Sequence, residues 1–187
     1  MTFWDNQTKD NLFNFLRSDY EGSDNPTRVW IRDHVRGKVL DAACGAGADY
    51  EYLKDQTDYT GMDFTPKMLE LCHEHFPEGK FVEGNIEKIP FKDKEFDVVL
   101  ARHILEHLDG YEKAIDEVKR VGKKFVIVLF LPLEDTEKLV FHQDGYHNNT
   151  YSKKMLDYIG PCKTLRLREQ EIIYSEDLDS SDSKKLS

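Results

Sequence analysis

The chain has 187 residues, which suits a single compact domain with a sizeable core. Hydrophobic residues make up 39% and charged residues 33%, a balance that excludes a disordered chain, and no apolar run is long enough to span a bilayer. The formal net charge of −10 disfavours nucleic acid as a partner, because proteins that bind nucleic acid usually gain affinity by neutralising phosphates with basic patches.

Residues 1–36 are predicted to form helices. Apolar residues recur at helical spacing from Asp5 to Tyr20, and Pro26 opens a second helix that ends before Gly37. The first residues, Met1 to Asp5, lack the basic-then-apolar pattern of a signal peptide, so we expect a cytoplasmic protein. Three widely spaced cysteines without a CxxC pair agree with this expectation and predict neither a disulfide framework nor a zinc site.

Short apolar strands alternate with helices in the middle of the chain, and this alternation predicts a parallel sheet covered on both faces. The expected strands are 38–42, 59–62, 80–83, 95–101 and 125–131, and the expected helices are 48–54, 66–76 and 111–121. Thr65 is predicted to cap the second of these helices, in front of Pro66. In the third helix we expect Asp116 and Arg120 to form an i,i+4 ion pair.

The last third of the chain has a different pattern. A helix from Ser152 to Ile159 precedes two strands, 164–168 and 172–175, whose connection is too short for a parallel crossover. We therefore predict an α/β fold: a Rossmann-like three-layer αβα sandwich with a mostly parallel seven-stranded sheet and an antiparallel C-terminal hairpin. Residues 1–176 would form this single domain, and the polar residues 177–187 a disordered tail.

A glycine loop follows the first predicted strand, at the edge where open parallel sheets bind their ligands. It reads Asp41-Ala42-Ala43-Cys44-Gly45-Ala46-Gly47. Because Gly45 and Gly47 lack a Cβ atom, a ligand can approach the backbone, and the helix predicted from Ala48 would direct free N–H groups towards it. This arrangement favours a phosphate or a carboxylate.

An acidic residue at the end of the second strand narrows the choice of ligand. Asp63 stands eighteen residues after Gly45, a spacing at which a carboxylate accepts hydrogen bonds from the hydroxyls of a ribose. The pair therefore predicts a nucleoside-containing cofactor. A dinucleotide is disfavoured because Tyr50 occupies the third glycine position of G-x-G-x-x-G, and a P-loop is excluded because no GK[ST] follows.

Several segments resemble the class I S-adenosylmethionine-dependent methyltransferases, and most closely their small type 11 branch, which includes enzymes of quinone biosynthesis. The first segment, Val39–Gly47, is similar to the family's VLDxGxGxG motif. Ala43 and Asn85 depart from the glycine and the aspartate that the family usually has. The other similar segments follow in the family's order: Gly61–Leu69, Phe81–Asn85, Ile89–Phe91, Phe96–Val99 and Glu106–Leu108.

The resemblance implies a site for S-adenosylmethionine, with S-adenosylhomocysteine as the product. Asp41 and the loop backbone would hold the methionine moiety, and Asp63 would bind the ribose, with Phe64 beside the adenine. The amide oxygen of Asn85 can still accept a hydrogen bond from the adenine amino group. The full set of implied cofactor-binding residues is Asp41, Ala43, Cys44, Gly45, Ala46, Gly47, Asp63, Phe64, Met68, Asn85, Ile86, Ala101 and Arg102.

Methyl transfer from a sulfonium needs little acid–base chemistry, because the methyl group is already activated and alignment does most of the work. His103 follows the fourth strand and is the candidate base, with a structural or substrate-contacting role as the alternative. Glu106 and His107 are interpreted as anchors of the next helix, and Cys44 as packing rather than a nucleophile. No metal site is predicted.

The polar and aromatic stretch from His142 to Tyr151 is the predicted substrate segment, with an ordinary solvated loop as the alternative. The first helix, with Trp4 and Tyr20, either packs on the core or closes over the cofactor. We expect a small-molecule acceptor, methylated on oxygen, nitrogen or carbon. A protein acceptor, a non-catalytic module that activates a partner, and the oligomeric state all stay open. The candidate substrate contacts are His103, Tyr146, His147 and Tyr151.

Overall fold

The structure, a computed structural model, describes residues 25–143 and 145–180. Within these ranges, five α-helices surround one seven-stranded sheet. The predicted first helix from Asp5 to Tyr20, with Trp4, lies outside the described residues, as do residues 181–187 of the predicted tail. None of the described helices is both long enough and apolar enough to cross a membrane.

Strands and helices alternate through the first five strands. The strands are β1 Gly37–Asp41, β2 Thr57–Asp63, β3 Phe81–Glu83, β4 Phe96–Arg102, β5 Gly122–Leu129, β6 Lys163–Leu167 and β7 Gln170–Tyr174. The helices are α1 Pro26–His34, α2 Tyr50–Leu53, α3 Pro66–His75, α4 Glu112–Val121 and α5 Lys154–Ile159. Every element predicted from residue 26 onwards is therefore present, with its ends displaced by a few residues.

The strand order in the sheet is β3-β2-β1-β4-β5-β7-β6. Strands β3, β2, β1, β4 and β5 run parallel to their neighbours, whereas β7 is antiparallel to both β5 and β6. The predicted fold class and the C-terminal hairpin are thus confirmed. The chain order reverses between β1 and β4, so the loop after β1 lies where sheets of this kind bind ligands.

Two hydrophobic clusters cover the two faces of the sheet. One packs α4 and α5 against β4 and β5, through completely buried side chains such as Ile115 and Met155. The other packs α1, α2 and α3 on the opposite face, where Leu53 and Cys72 are equally buried. Because alternate residues of β4 and β5 point into each cluster, these two strands are almost continuously apolar in sequence.

One prediction about the helices is confirmed in position and another is wrong. Thr65 is the N-cap residue of α3, as predicted, but its side chain makes no capping hydrogen bond. Its backbone N–H donates to Oδ1 of Asp63, at 2.8 Å. Arg120 pairs with Glu117, at 2.6 Å, rather than with Asp116. The guanidinium also donates to backbone carbonyls between β3 and β4, which draws it away from the predicted partner.

The domain extends beyond the predicted boundary at residue 176. Glu176–Ser180 form a 3-10 helix, and Leu178 is only 4% exposed within the cluster that covers α1 to α3. The prediction of a disordered tail is therefore wrong for residues 177–180, because one leucine gives this otherwise polar segment an apolar anchor.

Candidate functional site

The glycine loop leaves the carboxyl end of β1 and is hydrogen-bonded to both neighbouring strands. The N–H of Ala42 donates to the carbonyl of Leu100 in β4, at 2.8 Å. The N–H of Cys44 donates to the carbonyl of Met62 in β2, at 3.0 Å. The loop therefore bridges the point where the chain order reverses, and its backbone has a fixed position.

Gly45 and Gly47 both have positive φ angles, of 52° and 77°, which residues with a Cβ atom rarely adopt. A Cβ atom at Gly47 would lie 3.0 Å from the ring of Phe76, which ends α3. We predicted that both glycines leave room for a ligand. At Gly47 that space is filled by Phe76, so this glycine serves the backbone conformation and the packing of the loop on α3.

The helix after the loop is shorter than predicted. α2 has four residues, Tyr50–Leu53, and Asp49 is its N-cap residue. A single turn has few aligned peptide dipoles, so this helix attracts an anion much more weakly than expected. The charges next to the loop come from side chains instead.

Asp49 lies between Arg28 and Arg102 beside the loop. Its Oδ2 accepts a hydrogen bond from Nε of Arg102 at 2.6 Å, and its Oδ1 is 3.3 Å from Nε of Arg28. The three side chains are at most 10% exposed. We did not predict Arg28 or Asp49. Arg28 could have been identified from the sequence, because it lies on the apolar stripe of α1, in line with Ile31 and Val35.

Asp41, the last residue of β1, is a buried carboxyl group at the start of the loop. Its Oδ2 accepts a hydrogen bond from the hydroxyl of Tyr59 at 2.7 Å, whereas its Oδ1 is buried without a partner among the described residues. Burial, reinforced by the nearby Asp49, raises the pKa of Asp41 to about 7. A buried oxygen without a partner favours a ligand that donates a hydrogen bond.

Asp63 ends β2 and braces the glycine loop. Its Oδ2 accepts the N–H of Gly45 at 2.9 Å, and its Oδ1 accepts the N–H of Thr65 at 2.8 Å. Burial raises the pKa of Asp63, while these backbone donors act in the opposite direction. The predicted ribose acid therefore also holds the loop. The ring of Phe64, next in the chain, is 59% exposed.

The remaining predicted cofactor residues differ in what they can offer. Met68 and Ile86 are 4% and 5% exposed, so only an edge of each side chain is accessible. Ala101 is completely buried and can contribute only its backbone. Oδ1 of Asn85 accepts the N–H of Glu87 at 2.8 Å, so this amide oxygen already stabilises a turn.

Cys44 and Cys72 are buried on the side of the loop that faces α3. Their sulfur atoms lie 3.6 Å and 3.2 Å from the carbonyl oxygen of Gly45. A hydrogen bond with Cys72, together with burial, raises the pKa of Cys44 well above its usual range. The thiol therefore stays protonated, which agrees with the interpretation of Cys44 as packing.

Aromatic and imidazole rings gather at the carboxyl ends of β4 and β5. His103 follows β4, and its ring stacks on that of Phe130 with the centroids 3.8 Å apart. The ring of His107 meets Phe130 and Tyr146 at 5.9 Å and 6.4 Å. Nδ1 of His107 is also 2.8 Å from the carbonyl oxygen of His147. The structure thus links three of the predicted substrate residues in one series of contacts.

The fourth predicted substrate residue, Tyr151, belongs to the core. It is 3% exposed, and its hydroxyl donates to the carbonyl of Leu105 at 2.7 Å. Burial raises its pKa to about 12. Asn149 is buried as well, because its amide group bonds to the backbone of Leu108 and Val140. Both positions of the predicted substrate segment are therefore buried, and backbone groups satisfy their polar side chains.

Glu106 is a further buried group at this edge of the sheet. It lies in a 3-10 helix, Leu105–His107, and is 3% exposed. Its Oε1 accepts the N–H of Phe130, and burial raises its pKa to about 7. We interpreted Glu106 as an anchor of the helix that follows it, but the structure connects it to the end of β5 instead.

Comparison with known proteins agrees with these features. Residues 40–130 match the family model described as Methyltransferase domain. The chain is 34% identical over 122 residues to a phthiotriol/phenolphthiotriol dimycocerosates methyltransferase of Mycobacterium tuberculosis, a match that covers 56% of this chain and 45% of the relative. It is 32% identical over 101 residues to a demethylmenaquinone methyltransferase of Thermotoga maritima, covering 51% and 44%. The chain thus spans less than half the length of these curated relatives.

A solved structure with a similar fold is the Burkholderia thailandensis 1,6-didemethyltoxoflavin-N1-methyltransferase, crystallised with 1,6-didemethyltoxoflavin and S-adenosylhomocysteine. The TM-score is 0.66, and the superposition covers 88% of this chain and 83% of that one, at 16% identity. At this level of identity the similarity concerns the fold alone.

Proposed function

Because residues 40–130 match the family model described as Methyltransferase domain, we propose that the chain belongs to this family and is an S-adenosylmethionine-dependent methyltransferase acting on a small molecule. The observation that carries this proposal is the hydrogen bond between the N–H of Gly45 and Asp63, 2.9 Å long. A nucleoside cofactor needs both a loop that its charged end can approach and an acid for its ribose. In this chain a single hydrogen bond joins the glycine loop to Asp63, at the point where the strand order reverses.

The residues around the loop fit the parts of S-adenosylmethionine. Asp63 would accept hydrogen bonds from the ribose hydroxyls, and the exposed ring of Phe64 would offer an apolar face beside the adenine. Oδ1 of Asp41, which has no hydrogen-bond partner among the described residues, would accept a hydrogen bond from the methionine amino group. Arg28 and Arg102 bring positive charge to the same end of the loop, which would favour the methionine carboxylate.

The proposed chemistry is the transfer of an activated methyl group to a nucleophile. S-adenosylmethionine supplies a methyl group on a sulfonium, so the residues of this chain need to align the acceptor rather than activate the donor. His103 lies at the carboxyl end of β4, and β4 neighbours the strand that carries the loop. Its imidazole would take up a proton from an acceptor that must lose one on methylation.

The proposed acceptor is a small molecule, methylated on oxygen, nitrogen or carbon. The relatives named for phthiotriol dimycocerosates and demethylmenaquinone support this class, as does the fold neighbour crystallised with 1,6-didemethyltoxoflavin. The net charge of −10 is a further argument against nucleic acid. A cytoplasmic location belongs to the same proposal.

Isothermal titration calorimetry with S-adenosylmethionine and S-adenosylhomocysteine tests the cofactor first. We expect both to bind, and lack of binding by both at concentrations near ~1 mM would reject the proposal. Transfer of a labelled methyl group in cell extracts then tests the acceptor. Label in the small-molecule fraction supports the proposal, and label in protein points to a protein acceptor. Label that stays on a bound donor points to a non-catalytic module.

A further inference from the structure

Glu106 lies in the 3-10 helix after β4 and is bonded to Phe130, the residue that follows β5. Its Oε1 accepts the N–H of Phe130 at 2.5 Å. Its Oε2 is buried and has no hydrogen-bond partner within residues 25–143 and 145–180. Burial of a carboxyl group costs free energy, so a carboxyl group buried at this position points to a task other than packing.

The residue that Glu106 holds, Phe130, carries the ring on which His103 stacks. The two rings are 3.8 Å apart with an angle of 18° between their planes. His103 itself has a φ angle of 54°, and its N–H donates to the carbonyl of Val128 in β5 at 2.9 Å. A positive φ is strained for a residue with a side chain and persists only where surrounding contacts hold it. Those contacts come from β5 and from the ring of Phe130.

The backbone of Glu106 is held separately from its side chain. Its carbonyl accepts the N–H of Asn149 at 2.9 Å. The side chain of Asn149 in turn bonds to the carbonyl of Leu108 and the N–H of Val140. Replacement of the Glu106 side chain therefore removes the bond to Phe130 and leaves this backbone network in place.

We propose that Glu106 is a positioning residue for His103. Through the N–H of Phe130 it fixes the Phe130 ring, and this ring fixes the imidazole at the acceptor side of the site. The inference rests on the proposed function, because the imidazole faces an acceptor only if methyl transfer takes place at this edge of the sheet. Glu106 needs no contact with the acceptor in this role, since it contributes alignment.

NMR spectroscopy of the full chain with ¹³C-labelled histidine rings tests this proposal without a known acceptor. A ring stacked on Phe130 lies in the shielding zone of an aromatic ring, so the His103 signal should be displaced upfield. His103→Gln assigns the signal, and Phe130→Leu gives its position without the ring. Glu106→Met removes the acceptor of the Phe130 N–H, whereas Glu106→Gln keeps an amide oxygen there.

We expect the displaced signal in the wild type and in Glu106→Gln, and its movement towards the Phe130→Leu position in Glu106→Met. A His103 signal that stays displaced in Glu106→Met overturns the proposal, as does an equal loss in Glu106→Gln. Should Glu106→Met fail to fold, Glu106→Leu replaces it in the same comparison.

Titration of each variant with S-adenosylhomocysteine separates this inference from the proposed function. We expect unchanged affinity in Glu106→Met, because Glu106 bonds to Phe130 and Asn149, which are not among the proposed cofactor-binding residues. A wild type that binds no S-adenosylhomocysteine would overturn the proposed function, while the histidine signal would still decide the positioning role. With an identified acceptor, Glu106→Met should lower kcat on the order of 10²-fold and leave KM for S-adenosylmethionine unchanged, with Glu106→Gln restoring the rate.

Discussion

The two halves of the candidate site are held in place by different means. The donor half, after β1 and β2, is a loop fixed by backbone hydrogen bonds from Ala42 and Cys44 and by the carboxylate of Asp63. The acceptor half, after β4 and β5, is fixed by side chains, with Glu106 bonded to the end of β5 and His103 stacked on the next residue's ring. The donor half thus depends mainly on the backbone conformation of its loop, and the acceptor half mainly on contacts of the Glu106 and His103 side chains.

This difference follows from the tasks of the two halves. A cofactor is the same molecule in every enzyme that uses it, so a backbone cradle at a fixed place in the sheet serves all of them. Acceptors differ, and side chains at strand ends can change without disturbing the sheet. We therefore expect substitutions in the donor half to change cofactor affinity, and substitutions in the acceptor half to leave it unchanged.

The largest effect is expected at Asp49, beside the donor loop. Asp49→Ala removes the carboxylate that Arg28 and Arg102 share, and loss of one member of a buried ionic group costs about 3–5 kcal/mol of the free energy of unfolding. Urea unfolding measures this loss. The control is Asp33→Ala, in an exposed ion pair, with an expected change within about 0.5 kcal/mol. A similar small change in both variants would contradict the role of Asp49.

In the acceptor half, Glu106 should make stability depend on pH. Burial raises its pKa from 4.5 to about 7, so in this range the native state keeps a proton that the unfolded state releases. Stability from this group is present below pH 4.5 and falls as the pH rises to about 7, by at most about 3 kcal/mol. Glu106→Gln removes this titration. Asp41 titrates in both the wild type and the variant, so its contribution cancels when their free energies of unfolding are subtracted.

Urea unfolding of the wild type and Glu106→Gln at pH 5 and pH 8 measures this dependence. We expect the variant to gain stability relative to the wild type at the higher pH. A difference in unfolding free energy that is the same at both pH values would show that Glu106 does not titrate between them.

Asp63 should govern cofactor affinity in the donor half. Asp63→Ala removes the acceptor for the ribose and the brace on the N–H of Gly45, so binding of S-adenosylmethionine should weaken by about 1.5–3 kcal/mol. Calorimetry measures the change. Asp58→Ala is the matched control, because Asp58 lies exposed near the opposite end of β2. Unchanged affinity in Asp63→Ala would mean that this carboxylate does not hold the ribose.

The fold and the donor half were predictable because their signals are local in the chain. The apolar run of β5 indicates a central strand, and the short connection between β6 and β7 permits only a hairpin. Asp63 could be identified from its distance to Gly45 along the chain, since a loop and a following strand end meet at one edge of a parallel sheet.

Contacts between side chains distant in sequence could not be predicted in the same way. The bond between Glu106 and Phe130 joins residues 24 positions apart, and the pair of Asp49 with Arg102 joins residues 53 positions apart. Neither pair belongs to a periodic pattern or a motif, because both contacts form only when the strands are assembled. The burial of Tyr151 and Asn149 was not predicted for a related reason: their backbone partners belong to segments distant in sequence.

The smallest effect is expected from the loss of one exposed aromatic ring in each half of the site. Phe64 and Phe141 are 59% and 65% exposed, so loss of either ring should change stability by no more than about 0.5 kcal/mol. Phe64 follows Asp63 in the donor half, whereas Phe141 packs on His147, at 4.9 Å, beyond β5.

Phe64→Ala should weaken S-adenosylhomocysteine binding by about 0.5–1.5 kcal/mol, through loss of a ring face for the adenine. Phe141→Ala should leave this affinity unchanged, and calorimetry on both variants checks the pair. Equal losses would mean that the cofactor reaches across both halves or that the halves are coupled, and the division between a backbone cradle and a side-chain acceptor site would then fail. A loss of affinity in Phe64→Ala alone would place the adenine at the end of β2. The two rings are similarly exposed, so the difference would come from their positions in the donor and acceptor halves.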